Sequence, residues 1–279
     1  MANKQVTVAT IKEMKQKGEP ITMITAYDVA MSRNVNEAGV DMILVGDSLG
    51  NVILGYNSTV PVTMDEMIHH TKAVMRGNST ALVVGDMPFM SYQASIVDAM
   101  YNAARFLKET GCTVVKLEGG SEVVPLVERL TQAGIPVCAH IGLTPQSVNQ
   151  LGGFKVQGKD IAAAQKMIDD AKALEAAGAF ACVLECVPAA LAAKVTAELK
   201  TMATIGIGAG NGCDGQVLVC NDLLGVSTGF CPKFVKKYAN LHDTTVEAVK
   251  EYIADVKART FPAPEHTFKI DDAVLEKLY

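Results

Sequence analysis

Three acidic side chains stand at the ends of short apolar runs: Asp47 in Leu44-Val45-Gly46-Asp47, Asp86 in Val83-Val84-Gly85-Asp86, and Glu118 in Val114-Val115-Lys116-Leu117-Glu118. A run with few charges that closes on a carboxylate is the pattern of a buried parallel strand emerging from a core beside other strand ends. Three carboxylates brought together there can hold one hard cation. Magnesium prefers oxygen ligands, keeps waters and takes only one or two carboxylates directly, so some of the three would act through water. The chemistry implied is Lewis-acid activation of a bound substrate, against the blander reading of unrelated strand-terminal acids.

Lys116 lies two residues before Glu118, so on a strand both side chains point to the same face, toward the interior. A lysine there either completes a structural ion pair or holds a substrate carboxylate or a developing enolate, and the second reading suits an acidic site better. Glu185 sits in Cys182-Val183-Leu184-Glu185-Cys186-Val187, an otherwise apolar strand. Such surroundings raise a carboxylate's proton affinity, which suits a general base; a structural acid paired with Lys116 is the alternative. His140 is the other strand-borne titratable group, and it ranks second as base because lone core histidines are usually structural. The run Gly206-Ile207-Gly208-Ala209-Gly210-Asn211-Gly212 fits neither the dinucleotide nor the P-loop spacing, and small residues at strand ends serve close packing in any case. His69 and His70 are helix neighbours pointing about 100° apart, a poor arrangement for a shared metal.

Elements that could position these groups follow from a second regularity. Four times a helix-like stretch ends in a small residue plus glycine and passes straight into an apolar run, at Ala38-Gly39-Val40, Thr110-Gly111-Cys112, Ala133-Gly134-Ile135 and Ala177-Gly178-Ala179. That is a helix stopped by a left-handed glycine and followed by a strand. Reading outward predicts strands near 21–27, 42–47, 82–88, 113–119, 136–142, 182–187, 204–210 and 216–220. With interleaved helices this is an α/β chain best closed as a (β/α)8 TIM barrel. Thr63 to Glu66 matches a capping box opening a helix that ends near Gly77, and Thr244 to Glu247 matches another. Further helices are expected at 160–177 and 189–202. The whole of 1–279 reads as a single barrel domain with an N-terminal extension (1–20) and a charged C-terminal helical tail (243–279), since no linker separates two cores. Two long loops, 48–62 and 143–159, leave strand carboxyl ends, where barrel enzymes place sites and lids.

Composition narrows the function further. A chain of 279 residues, 49% apolar and 20% charged, can bury a large core. Its formal charge of −5, with scattered basic residues, lacks the field a nucleic-acid binder needs. No apolar run reaches membrane-spanning length and the first twenty residues carry charges instead of a signal stretch, so a soluble cytoplasmic protein is expected. The seven cysteines are an odd number, mostly inside apolar runs, and read as reduced core thiols. Cys182 and Cys186, within one apparent strand around Glu185, make a poor pair for zinc or a disulfide.

Taken together, Ile24-Thr25-Ala26-Tyr27-Asp28, Leu44-Val45-Gly46-Asp47-Ser48-Leu49-Gly50, Lys116-Leu117-Glu118-Gly119-Gly120, His140-Ile141-Gly142-Leu143-Thr144-Pro145-Gln146-Ser147 and Gly206-Ile207-Gly208-Ala209-Gly210 resemble the ketopantoate hydroxymethyltransferase family, in family order from about residue 5 to 266. The resemblance implies a magnesium-dependent barrel of the phosphoenolpyruvate/pyruvate type. It also implies transfer of a one-carbon unit from 5,10-methylenetetrahydrofolate to 3-methyl-2-oxobutanoate, in pantothenate and coenzyme A biosynthesis. By position it gives Asp47, Asp86 and Glu118 to the metal, Asp47, Ser48, Asp86 and Lys116 to the 2-oxo acid, with His140 beside them, and Glu185 to proton removal. Asn57 stands where Asp is familiar, Ala139 where Gly is, and Asn221 where His commonly precedes Asp222. Family members form homo-oligomers, in bacteria commonly a homodecamer with exchanged terminal segments, which implies a holding role for the tail; the Ala-rich helices 160–177 and 189–202 offer flat faces for such packing. A folate-independent magnesium-dependent 2-oxo acid lyase or mutase, and a barrel kept as a scaffold, are the competing readings.

Overall fold

Glycines punctuate the chain where helices turn back into strands. Gly39 (φ 84°) and Gly178 (φ 99°) take the left-handed conformation expected of helix stops, and Gly111 and Gly134 do the same. The structure, a computed structural model, describes residues 5–229 and 231–278; residues 1–4 of the expected N-terminal extension and Tyr279 of the tail lie outside them.

Eight parallel strands close a barrel in sequence order: β1 (Ile21–Thr25), β2 (Met42–Val45), β3 (Leu82–Asp86), β4 (Val114–Lys116), β5 (Val137–Gly142), β6 (Ala181–Glu185), β7 (Ala203–Ile207) and β8 (Gly215–Leu218), with β8 returning to β1. Most are shorter than the apolar runs that announce them, because the runs continue into the turns at their ends. The longer helices are α1 (Val8–Lys17), α2 (Val29–Glu37), α3 (Met64–Gly77), α4 (Ile96–Arg105), α5 (Val124–Gln132), α6 (Ile161–Ala176), α7 (Ala189–Glu198) and α8 (Leu241–Ala258). The capping box at Thr63 and Glu66 is formed on both sides.

Three expectations need correction. No helix joins β7 to β8: the glycine-rich segment crosses directly, its glycines pressed against Cys213, Phe234, Ala189 and Ala193. The helix expected to reach 202 stops at Glu198, where Leu199 turns extended (ψ 137°) to lead into β7. The second capping box fails. Helix α8 begins a turn earlier, at Leu241 after Asn240, and the Thr244 hydroxyl donates to the Asn240 carbonyl inside the helix. The two long loops are also partly ordered, carrying the short helices Leu49–Val52 and Val148–Leu151.

Alternation along the strands sorts two cores. Leu82 and Val84, Val114, and Ala181 and Val183 join an inner cluster inside the barrel, whereas Val83, Val115, Cys182 and Leu184 join the larger layer under the helices. Helix α1 closes the amino-terminal end of the barrel. Its Ile11 is fully buried in the inner cluster, and Lys15 reaches Asp214 at 2.8 Å. Cutting Ile11 back to alanine would cost roughly 2–5 kcal/mol.

Candidate active site

The inward parity of the lower barrel carries upward and changes chemistry at the carboxyl ends. Two residues beyond Val84, Val114, Cys138 and Val183 come Asp86, Lys116, His140 and Glu185, and Glu118 follows Lys116 by two more. Asp86 and Lys116 are register partners across β3 and β4. Asp47 arrives differently. Met42 and Leu44 face inward, so Asp47 is out of phase and enters through the turn after β2, where Ser48 Oγ lies 2.8 Å from the place a Gly46 Cβ would occupy. A side chain at 46 would push the Ser48 hydroxyl aside.

These groups line one cavity of about 580 Å³ with Ser48 and, toward its mouth, Phe154, Lys233 and Phe234. A larger recess of about 830 Å³ lies on the outer face of β1 and β8. It contains none of the buried strand-end acids, so the smaller cavity is the candidate site. All seven residues singled out from the sequence, Asp47, Ser48, Asp86, Lys116, Glu118, His140 and Glu185, meet in it.

The Lys116 ammonium donates to both oxygens of Asp86, at 2.8 and 2.9 Å, and stands 3.6 Å from Glu118. His140 Nε2 lies 2.7 Å from the Leu143 carbonyl, which only a protonated Nε2 can satisfy, and the same nitrogen is 3.5 Å from Glu185 Oε2. The other ring nitrogen has no hydrogen-bond partner and faces Glu118 at 3.9 Å. The near neighbour of Glu185 is therefore His140 rather than the Lys116 of the structural alternative. Ser48 shares a 2.9 Å hydrogen bond with the Tyr27 hydroxyl.

Burial dominates the electrostatics. Loss of water raises the proton affinity of Asp47, and the Asp86 charge adds to it against Lys116, leaving it at about 7. Burial likewise lifts Glu185 to about 8, opposed by Lys116 and reinforced by Asp47 and Asp86. Glu118 is held well above the usual carboxylate range by burial, against Lys116 and with Asp47 and Asp86. For Lys116 burial alone would favour the neutral amine, but Asp86, Glu118 and Asp47 keep the ammonium charged. His140 is pushed well below its ordinary value by burial and by Lys116, so the imidazole is neutral. A neutral ring of such low proton affinity is a poor base, and its one N–H is spent on the Leu143 carbonyl, so it stands beside Glu185 without a hydrogen bond to it.

The sequence reading missed two contributors. Gln146 and Tyr92, both buried, tie the acids to the loop after β5. Gln146 lay inside a recognised motif, but a glutamine in a loop carries no signal of its own; Tyr92 carried none.

A family model described as ketopantoate hydroxymethyltransferase matches residues 5–264. The chain belongs to that family. A 3-methyl-2-oxobutanoate hydroxymethyltransferase from Carboxydothermus hydrogenoformans is 60% identical over 275 residues, covering 99% of each chain. Membership in the ketopantoate hydroxymethyltransferase family makes the protein a transferase and sets aside the scaffold reading. Among solved structures, a phosphonomutase described as putative from Burkholderia cenocepacia matches with a TM-score of 0.61 at 16% identity, covering 90% of this chain and 98% of its own. A 2,3-dimethylmalate lyase of the PEP mutase/isocitrate lyase superfamily matches with a TM-score of 0.58 at 13% identity, covering 96% and 93%. At such identities the likeness concerns the barrel fold alone.

The donor set fits a hard divalent cation. Asp47, Asp86, Glu118 and Glu185 share the cavity with one ammonium and a neutral imidazole, so buried carboxylates are in excess, and burial first and neighbouring carboxylates second raise the proton affinities of Asp47, Glu118 and Glu185. Among the described residues, no three His, Cys, Asp or Glu side chains are already grouped as cation ligands. Asp86 is turned onto Lys116, and ligation through it requires that ion pair to loosen.

Proposed function

We propose that the transferred unit passes from 5,10-methylenetetrahydrofolate to 3-methyl-2-oxobutanoate, giving ketopantoate through an enolate of the 2-oxo acid. The reading is carried by Glu185, whose carboxylate is poised at about 8 in the same cavity as Lys116 and the three strand-end acids. Magnesium, held by Asp47, Asp86 and Glu118, would supply Lewis-acid stabilisation of charge developing on the 2-oxo acid oxygens. Glu185 takes the C3 proton, and the electron pair of that bond enters the enolate. His140 packs beside Glu185, its Nε2 3.5 Å from Oε2, while its N–H holds the Leu143 carbonyl. Lys116 balances negative charge at the substrate carboxylate, and Ser48, backed by Tyr27, offers it a hydroxyl. The enolate carbon bonds to the folate methylene carbon as one of its two C–N bonds opens; water then forms the C–O bond of the hydroxymethyl group as the second C–N bond breaks, and its proton goes to the departing tetrahydrofolate nitrogen. Phe154 and Phe234 at the mouth suit a pterin face, with Lys233 for an anionic tail.

The same proposal includes assembly as a homo-oligomer, a homodecamer by family resemblance. Helix α8 buries none of its residues and exposes Val246, Val249, Tyr252, Ile253 and Val256, and none of its residues lines the recess over β1 and β8. A neighbouring copy would cover both. No helix among the described residues is long and apolar enough to cross a membrane. Seven free thiols support a reducing, cytoplasmic setting.

Turnover of 3-methyl-2-oxobutanoate with magnesium tests the reading. Ketopantoate should form only when methylenetetrahydrofolate is supplied, and chelation should abolish it. Substrate cleavage or rearrangement without folate would replace the reading with a lyase or mutase.

A further inference from the structure

Gln146 is 3% exposed, and all of its amide's hydrogen-bonding capacity is committed. The Nε2 group donates to Asp47 Oδ2 and to the Met87 carbonyl, each at 2.9 Å. The Oε1 atom accepts from the Tyr92 hydroxyl at 2.7 Å and from Gln93 Nε2 at 3.3 Å. Two acceptors on one side and two donors on the other leave one orientation for this amide. The Gln146 backbone N–H donates to Glu118 Oε2 at 3.1 Å, and the Tyr92 hydroxyl accepts from the Glu118 backbone N–H at 3.0 Å. One loop residue after β5 thus touches acids from β2 and β4 and the chain just past β3.

We propose that Gln146, oriented by Tyr92, is the positioning residue that fixes Asp47 and Glu118 for the divalent cation. This rests on the metal reading above. Carboxylates so crowded repel one another, and without a donor each would rotate away from the shared centre. A neutral amide supplies the donor to Asp47 without adding charge. The backbone N–H of the same residue locks Glu118, so one side chain and its own backbone set the separation of two ligands. Partners of this kind orient metal-binding side chains, and their loss weakens metal affinity roughly 10–100-fold.

The test is manganese binding to the full-length protein, read as free Mn2+ by electron paramagnetic resonance, with circular dichroism to establish folding. Gln146→Met keeps the volume and removes the amide; manganese should bind roughly 10–100-fold more weakly than to the unaltered protein. Tyr92→Phe, which removes the hydroxyl that orients Gln146 and accepts the Glu118 backbone N–H, should weaken it in the same direction by about threefold or more. A folded Gln146→Met protein that binds manganese within about twofold of the unaltered protein overturns the proposal, because packing alone then accounts for the residue. Should that variant not fold, Tyr92→Phe decides: weaker binding supports the role, and unchanged binding overturns it. An unaltered protein that takes up no manganese overturns the metal reading itself, and this proposal with it.

Discussion

Raising the pH of the chelated, metal-free protein should destabilise it, and a lower bound on the effect follows from two carboxylates, since Glu118, also raised by burial, acts in the same direction. Asp47 is held at about 7 and Glu185 at about 8 in the folded chain, both far above the unfolded range near 4. Between those limits the folded protein binds more protons than the unfolded one. The stability this brings is present below the folded values and is lost as pH rises through them. From about pH 6.5 to about pH 8.5, the two sites together forfeit roughly 3 kcal/mol. The window avoids His140, whose depressed value acts oppositely only below about 6.5, and the buried thiols of Cys112 and Cys138, pushed up to about 11 and about 12, which act only above about 8.5. For a chain of this size the melting temperature should fall by roughly 6 °C across the window. Differential scanning calorimetry in chelator measures it, and Asp47→Asn should flatten the slope. A melting temperature that stays level or rises over this range refutes the picture of an acid cluster strained by burial and like charge.

Two further outcomes follow from the same arrangement. Asp86→Ala and Asp47→Ala should both remove most magnesium-dependent turnover but differ in stability: losing Asp86 takes the nearest partner from the buried Lys116 ammonium, leaving Glu118 at 3.6 Å, and costs roughly 3 kcal/mol in denaturant melts, whereas losing Asp47 relieves repulsion but leaves a Gln146 N–H without its acceptor and should cost less, about 1 kcal/mol. Light scattering should give an oligomeric mass for the intact protein and a smaller one after removal of residues 243–279; a monomeric intact protein defeats the assembly, and a truncated protein of unchanged mass defeats the tail's role.

Much of this was legible because barrel strands obey a two-residue period. Asp86, Lys116, Glu118, His140 and Glu185 each lie an even number of residues beyond an inward apolar residue, so one rule places all five. Asp47 breaks that period and was found as the carboxylate that closes an apolar run, in a phrase it shares with Asp86. The direct crossing from β7 to β8 was hidden because glycine-rich segments suit turns and tight packing equally. Thr244 misled because a Thr-x-x-Glu spacing also occurs within a helix, where the hydroxyl bonds back to a carbonyl a turn earlier. Gln146 and Tyr92 act from loops, which have no period to betray them. Their role depends on contacts 54 and 99 residues apart in sequence.

The central claim is that Glu185 removes the C3 proton of the 2-oxo acid in this acid-lined cavity. It is tested most directly by following exchange of that proton in 3-methyl-2-oxobutanoate with solvent deuterium, by NMR, with magnesium and without folate. The unaltered protein should catalyse exchange, and Glu185→Gln, which keeps the shape and removes the basicity, should slow it by about 10²-fold or more. Exchange that is unchanged in Glu185→Gln but lost in a His140 variant would contradict the account and move the base to His140.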